Sequence, residues 1–314
     1  MLYIVAGALS ALSLLFPLAC RLWPALAQGW MDAVFAPAAG ALAALASKCP
    51  FPLAEPLALL LAALFVLLLF RWRRGACLLL AVLLAGYGLL WAPAYSLSAT
   101  HAVDGDADAA ALTAVCDELI ERLNARKDFA LPNDLGARAL AAARLVETPA
   151  PISAAPKFAR YPEWMRAFSL AGLYVPWTAE ALCDPTAPAA GQPFTAVHEL
   201  MHMGGVADEG QANICAYIAC RRYGGAFSHS ADLWALKYAM DALRPLDADA
   251  WSARLAALDG AARDGFFALG GASSASLAEE SVPRPGGAGI AGDYGALAAW
   301  LAGASYESIE KRAH

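Results

Sequence analysis

Two histidines, a glutamate and a later acidic residue are spaced in this chain for metal-assisted hydrolysis. In Phe194-Thr195-Ala196-Val197-His198-Glu199-Leu200-Met201-His202, an α-helix projects His198 and His202 from one face, one turn apart. That places both imidazoles within reach of a single Zn²⁺. Glu199, one position round from the first histidine, would reach a water on the metal without ligating it, which is the place of a general base. Thr195 is the expected N-cap, and Gly204-Gly205 the expected end of the helix about a turn past His202.

A hydrolytic zinc takes three protein ligands and keeps one position open. Two acidic residues compete for the third place. Asp208 completes an HExxHxxGxxD spacing that resembles the metzincin pattern with Asp for the third His. Glu209 opens Glu-Gly-Gln-Ala-Asn, which resembles the E-x-x-A-D/N signature on the second helix of gluzincin peptidases. Glu209 is preferred, because the apolar run after Asn213 reads as a helix that carries Glu209 and Asn213 on one face. Asn213 is then expected to accept the second ring N–H of a ligand histidine. A purely structural zinc is disfavoured, since such sites are closed sets of four ligands, usually rich in Cys.

The helix carrying these residues belongs to an unusually apolar chain. Hydrophobic residues make up 60% of the 314 and charged residues 16%, with a mean hydropathy of +0.48, so part of the chain is expected in lipid. The net charge of -6, without a basic patch, argues against nucleic acid as a partner. Three spans are expected, at about 2–20, 51–70 and 75–95, with a proline-bearing mixed loop at 30–56 that includes a short interfacial helix. Nothing basic precedes Arg21, which favours an uncleaved first span over a signal peptide. The Arg71-Trp72-Arg73-Arg74 turn is expected in the cytoplasm, with Trp91 and Tyr95 at the far interface. The acidic stretch His101 to Asp108 and all that follows would then be extracytoplasmic.

The expected architecture is mainly α: a membrane domain at 1–95 and an exported, zincin-like domain at 96–314. Helices are expected at 109–127, 135–146 and 248–267, another from about Phe227 to Leu243, and a last apolar one through Trp300, with a loop at Pro283-Arg284-Pro285-Gly286-Gly287 before it. A proline-rich connector at 148–162 leads to a strand at 173–178, placed to pair with an extended peptide substrate. Tyr174 on that strand and His229 are candidate substrate or oxyanion contacts. Seven cysteines, four of them in the exported part, permit one or two disulfides of unreadable pairing.

The three-span N-terminus, the segment Gly172 to Ala181, the His198 to Asn213 core and the closing Asp293-Tyr294-Gly295 together resemble an uncharacterised family of bacterial membrane proteins, catalogued as a domain of unknown function. Its members combine three spans with an HExxH, gluzincin-like exported domain. Where the family has a second acidic residue, as in Glu-x-Glu-Ala-Asn, this chain has Gln211, which supports Glu209 as the ligand. The resemblance implies a membrane-anchored zinc metallopeptidase acting on a peptide or protein outside the cytoplasmic membrane. The alternative is a non-enzymatic zinc-binding envelope protein, against which an intact Glu199 weighs.

Overall fold

The computed structural model describes residues 1–103, 107–126, 129–270 and 290–303, the side chains of 290–294 excepted. Asp104, Asp106, Lys127, the Pro283 to Gly287 loop and the side chains of Asp293 and Tyr294 lie outside the described residues. The protein is mainly helical. In chain order, α1 (Leu2–Leu22), α2 (Pro24–Trp30), a π-helical turn (Met31–Phe35) and α3 (Ala36–Ala46) lead to α4 (Ala54–Arg71) and α5 (Arg73–Leu90). A 3-10 turn (Ala92–Ser96), α6 (Ala109–Ala125) and α7 (Leu135–Ala143) follow. Next come β1 (Lys157–Phe158), α8 (Glu163–Ala167), β2 (Gly172–Val175) and β3 (Glu180–Cys183). The later helices are α9 (Gln192–Met203), α10 (Glu209–Tyr223), α11 (Gly225–Leu243), α12 (Ala248–Ala257), α13 (Gly260–Ala268) and α14 (Ile290–Gly303).

Four N-terminal segments, not three, are long and apolar enough to cross a membrane: Leu2–Leu22, Pro24–Ala46, Ala54–Arg71 and Arg73–Ser96. The additional one occupies much of the expected mixed loop. Its prolines start helices instead of breaking them. Pro24 opens α2, where a first-turn residue has no intrahelical use for an N–H. Pro37 falls where the wider π turn gives way to α3, and only Pro50 and Pro52 remain in the connection before α4.

By contacts the chain forms two units, neither of them one continuous stretch. The first holds Met1–Ser98, Glu147–Pro185 and Glu199–Ala207, so segments that the sequence groups with the C-terminal region pack with the N-terminal helices. Its sheet has the order β1-β3-β2, with β1 parallel and β2 antiparallel to β3. Two buried carboxylates clasp this sheet to the start of α4. Glu180 on β3 accepts the N–H groups of Leu53 and Ala54 at 2.9 and 2.8 Å and the Lys157 ammonium at 2.8 Å. Glu55 in turn accepts the N–H groups of Arg160 and Tyr161, both at 3.1 Å. Each carboxylate thus satisfies backbone donors that have no helix or strand partner, which is what makes its burial tolerable.

The second unit holds Ala99–Val146, Thr186–His198 and Asp208–His314. Helices α6, α10, α11 and α14 pack around Leu119, Tyr217, Phe227 and Leu236. Asp232 of α11 is 1% exposed and meets Arg221 at 2.9 Å and Arg122 at 3.4 Å, with the Tyr217 hydroxyl donating at 3.3 Å. The expected helix at 248–267 is two helices, because Asp259 turns its carboxylate onto the Ala262 N–H and starts a new one. All seven cysteines are free thiols in the structure, with none of the permitted disulfides. Cys215 and Cys220, for instance, stand five apart on α10 and so leave that helix in different directions.

Candidate metal centre

Helix α9 begins at Gln192 after a 3-10 turn, so Thr195 is not its N-cap. It lies in the first turn, and its hydroxyl donates to the Gly191 carbonyl at 3.1 Å. The other end is as expected. Gly205 takes φ +87°, and the Val206 N–H turns back to the Met201 carbonyl at 3.1 Å, a left-handed C-terminal cap. This turn also aims the Val206 carbonyl at His202. The His202 Nδ1–H donates to it at 2.7 Å, which leaves the lone pair of the ring on Nε2.

His198 Nε2 lies 3.1 Å from Glu209 Oε2. Ligand atoms of His198, His202 and Glu209 all lie within 4.8 Å of one another. Two donors on one tetrahedral zinc stand roughly 3.4 Å apart, given bonds of about 2.0–2.2 Å, so small rotamer changes would seat an ion among the three. The donor types and the His202 tautomer suit Zn²⁺. Solvent reaches the group through Glu209, whose side chain is 41% exposed. Asp208 is not in the cluster, because it caps α10 and accepts the Gln211 N–H at 2.8 Å.

Asn213, one turn after Glu209, is fully buried, and neither atom of its amide makes a hydrogen bond. The expected role of accepting from a ligand histidine is therefore not what it does. The acceptor on His202 is the Val206 carbonyl, a backbone group with no signal of its own in the sequence beyond the glycine break that aims it.

Glu199 is buried on β2. A Cβ built at Gly172 would collide with the Glu199 carboxylate, so the carboxylate occupies the space that a side chain at 172 would fill. Cys183 on β3 is buried close enough to Glu199 for the carboxylate to add to the effect of burial, and its thiol is held well above the usual range. Tyr174 is buried too, its ring 5.0 Å from Trp91, and burial raises its pKa. Its hydroxyl has no hydrogen-bond partner and keeps its proton. Trp91 itself is buried at 6% exposure against Phe35, Tyr174 and the edge of the His202 ring, while Tyr95 is exposed.

His229 is buried in α11, its ring 5.1 Å from Phe129. Burial and the Arg126 cation both lower its pKa, so the imidazole is kept neutral. The structure sets it beside these two residues.

These features define a mainly helical protein with apolar N-terminal helices suited to a bilayer and a His-His-Glu group beside a buried glutamate. The chain belongs to the DUF3810 family of proteins of unknown function, whose model matches residues 30–268. No curated protein and no solved structure matches it.

Proposed function

We propose that this protein is a membrane-anchored zinc metallopeptidase that cuts peptide bonds outside the cytoplasmic membrane. The observation that carries the reading is the convergence of the His198, His202 and Glu209 ligand atoms, with Glu199 of the same motif buried against β2. His198, His202 and Glu209 would hold the ion. Bound zinc supplies a Lewis acid for the scissile carbonyl and lowers the pKa of its water towards neutrality. Glu199 accepts the proton of the attacking water and passes it to the leaving amine. Strand β2 pairs only with β3 among the described strands, and its other edge offers backbone donors and acceptors to an extended peptide. The Tyr174 hydroxyl, neutral and unpaired, is a hydrogen-bond donor on that strand.

Metal retention in the purified full-length protein tests the ligand set. His198→Ala and Glu209→Ala are expected to weaken zinc binding by more than the roughly 100-fold that loss of a supporting contact costs. Asp208→Ala should retain zinc and lose only about 1 kcal/mol of stability through its missing cap. An empty site in Asp208→Ala and a full one in Glu209→Ala would transfer the third ligand to Asp208.

Gly172→Ala probes the general base without touching it. The added methyl displaces the Glu199 carboxylate, and a misplacement of about 1 Å can cost on the order of 100-fold in turnover. Zinc content should be unchanged. Wild-type kcat in a zinc-loaded Gly172→Ala protein would separate Glu199 from the chemistry.

A further inference from the structure

We propose that Pro24–Ala46, although long and apolar enough to cross a membrane, lies along the bilayer surface at the end of the spans remote from Arg71 to Arg74. It is 23 residues long, so a crossing helix would carry its two ends to opposite faces, on the order of 34 Å apart. Its contacts put them at the same level. The Arg74 guanidinium stacks on Tyr3, which sets the start of α1 beside the start of α5. Gly88 near the end of α5 meets Ser13 backbone, so α1 and α5 run in the same direction. The end of α1 therefore lies near Trp91, and α2 departs from there.

From that point the side-chain contacts of the segment with α5 and Trp91 fall at the same end of the spans. The Trp30 indole donates to the Leu89 carbonyl at 2.7 Å, and Phe35 packs on Trp91 at 5.9 Å. At the far end of the segment the Ala46 carbonyl accepts from Lys157 at 2.7 Å. That ammonium also bonds the Phe51 carbonyl at 3.0 Å and Glu180, whose carboxylate holds the first N–H groups of α4. Since α4 starts where α5 ends, the beginning, middle and end of Pro24–Ala46 all lie at one membrane face. The segment is also the least apolar of the four, with a hydropathy of 1.3 against 2.0 or 2.1 for the others.

Its partner is the headgroup and acyl boundary of that leaflet. Ala27, Met31, Phe35, Ala39 and Ala43 form the stripe buried against protein, and the π turn keeps this four-residue spacing on one face. Leu26, Ala33, Pro37, Ala41, Ala44 and Leu45 are exposed and apolar, as are leucines of α1 and α4, a face suited to the acyl boundary. The exposed polar pair Gln28 and Asp32 bond to each other at 3.0 Å. Met31 and Phe35 also pack on Gly205, the cap of α9, so the turn that orients His202 rests on this surface helix.

Two measurements test the placement in the full-length chain. With three crossings, epitope tags before α1 and after α14 report on opposite sides of sealed membrane vesicles, since no candidate span follows Ser96 among the described residues. Tags on the same side would overturn the proposal. For depth, Cys49 and Cys77 are replaced by Ser, and a fluorophore on Ala33→Cys is read in phosphatidylcholine vesicles. A surface helix predicts stronger quenching by lipids labelled near the headgroup than by lipids labelled at the chain ends. Stronger quenching by the chain-end label, or by neither, would also overturn it.

Discussion

Glu199→Gln is expected to bind zinc like the wild type and to lose peptide hydrolysis by about 10² to 10⁴-fold, the range that removal of a general base costs. The expectation follows from the position of Glu199. It is not in the ligand cluster, which is His198, His202 and Glu209, so the exchange removes no donor to the metal. Its carboxylate fills the space at Gly172 on β2, and glutamine has nearly the same shape, so packing there is kept. What changes is that an amide cannot take the proton of the attacking water. Steady-state kinetics and zinc content, measured on one preparation, check both halves. Retained hydrolysis would leave the proposed chemistry without its base, and lost zinc would mean that Glu199 serves the metal directly.

The largest expected effect on stability lies at Asp232. Removing one partner of a buried ion pair costs about 3–5 kcal/mol, because the remaining charge stays buried without compensation. Asp232 is the common acceptor for Arg221, Arg122 and Tyr217, and both arginine side chains are less than a fifth exposed. Burial pushes its carboxyl up against the pull of Arg221, Arg122 and Arg126, so its desolvation is already opposed by them in the folded protein. Asp232→Ala removes that acceptor from a network joining α6, α10 and α11, and denaturant unfolding should show a loss in this range. Asp232→Asn, which keeps an acceptor oxygen, should lose less. A loss below about 1 kcal/mol for the alanine variant would show that solvent or another group compensates the arginines.

Where residue type alone dictates geometry, the clustering of His198, His202 and Glu209 is legible in the sequence. Histidines four apart on a helix face one way, a glycine pair closes that helix, and an acidic residue at the start of the next helix points back. Glu209 and Asp208 part because Asp208 caps α10 and accepts the Gln211 N–H. The His202 partner is not legible, because the Val206 carbonyl is a backbone group and carries no residue type.

In the fold, the arginine run and the leucine blocks gave the ends of α4 and α5 closely. Pro24–Ala46 is not legible as helix, because proline usually breaks helices, whereas here Pro24 stands in a first turn and Pro37 at a π turn. Strand β3 is not legible because Glu180 sits in it, and the groups that make a buried glutamate tolerable there, the Leu53 and Ala54 N–H groups and the Lys157 ammonium, come from other segments. The position of Trp91 after an apolar run carries no information on its protein neighbours. Its neighbours Phe35, Tyr174 and His202 come from three distant segments, a contact that no local pattern announces.

The most direct test of the proposed peptidase is cleavage of a broad peptide library by the purified full-length protein before and after its metal is stripped. Cleavage that disappears with a chelator, returns with a stoichiometric addition of Zn²⁺ and is absent from zinc-loaded Glu199→Gln is the expected result. Cleavage that survives complete removal of metal, or a zinc-loaded wild-type protein that cuts nothing in the library, would contradict it.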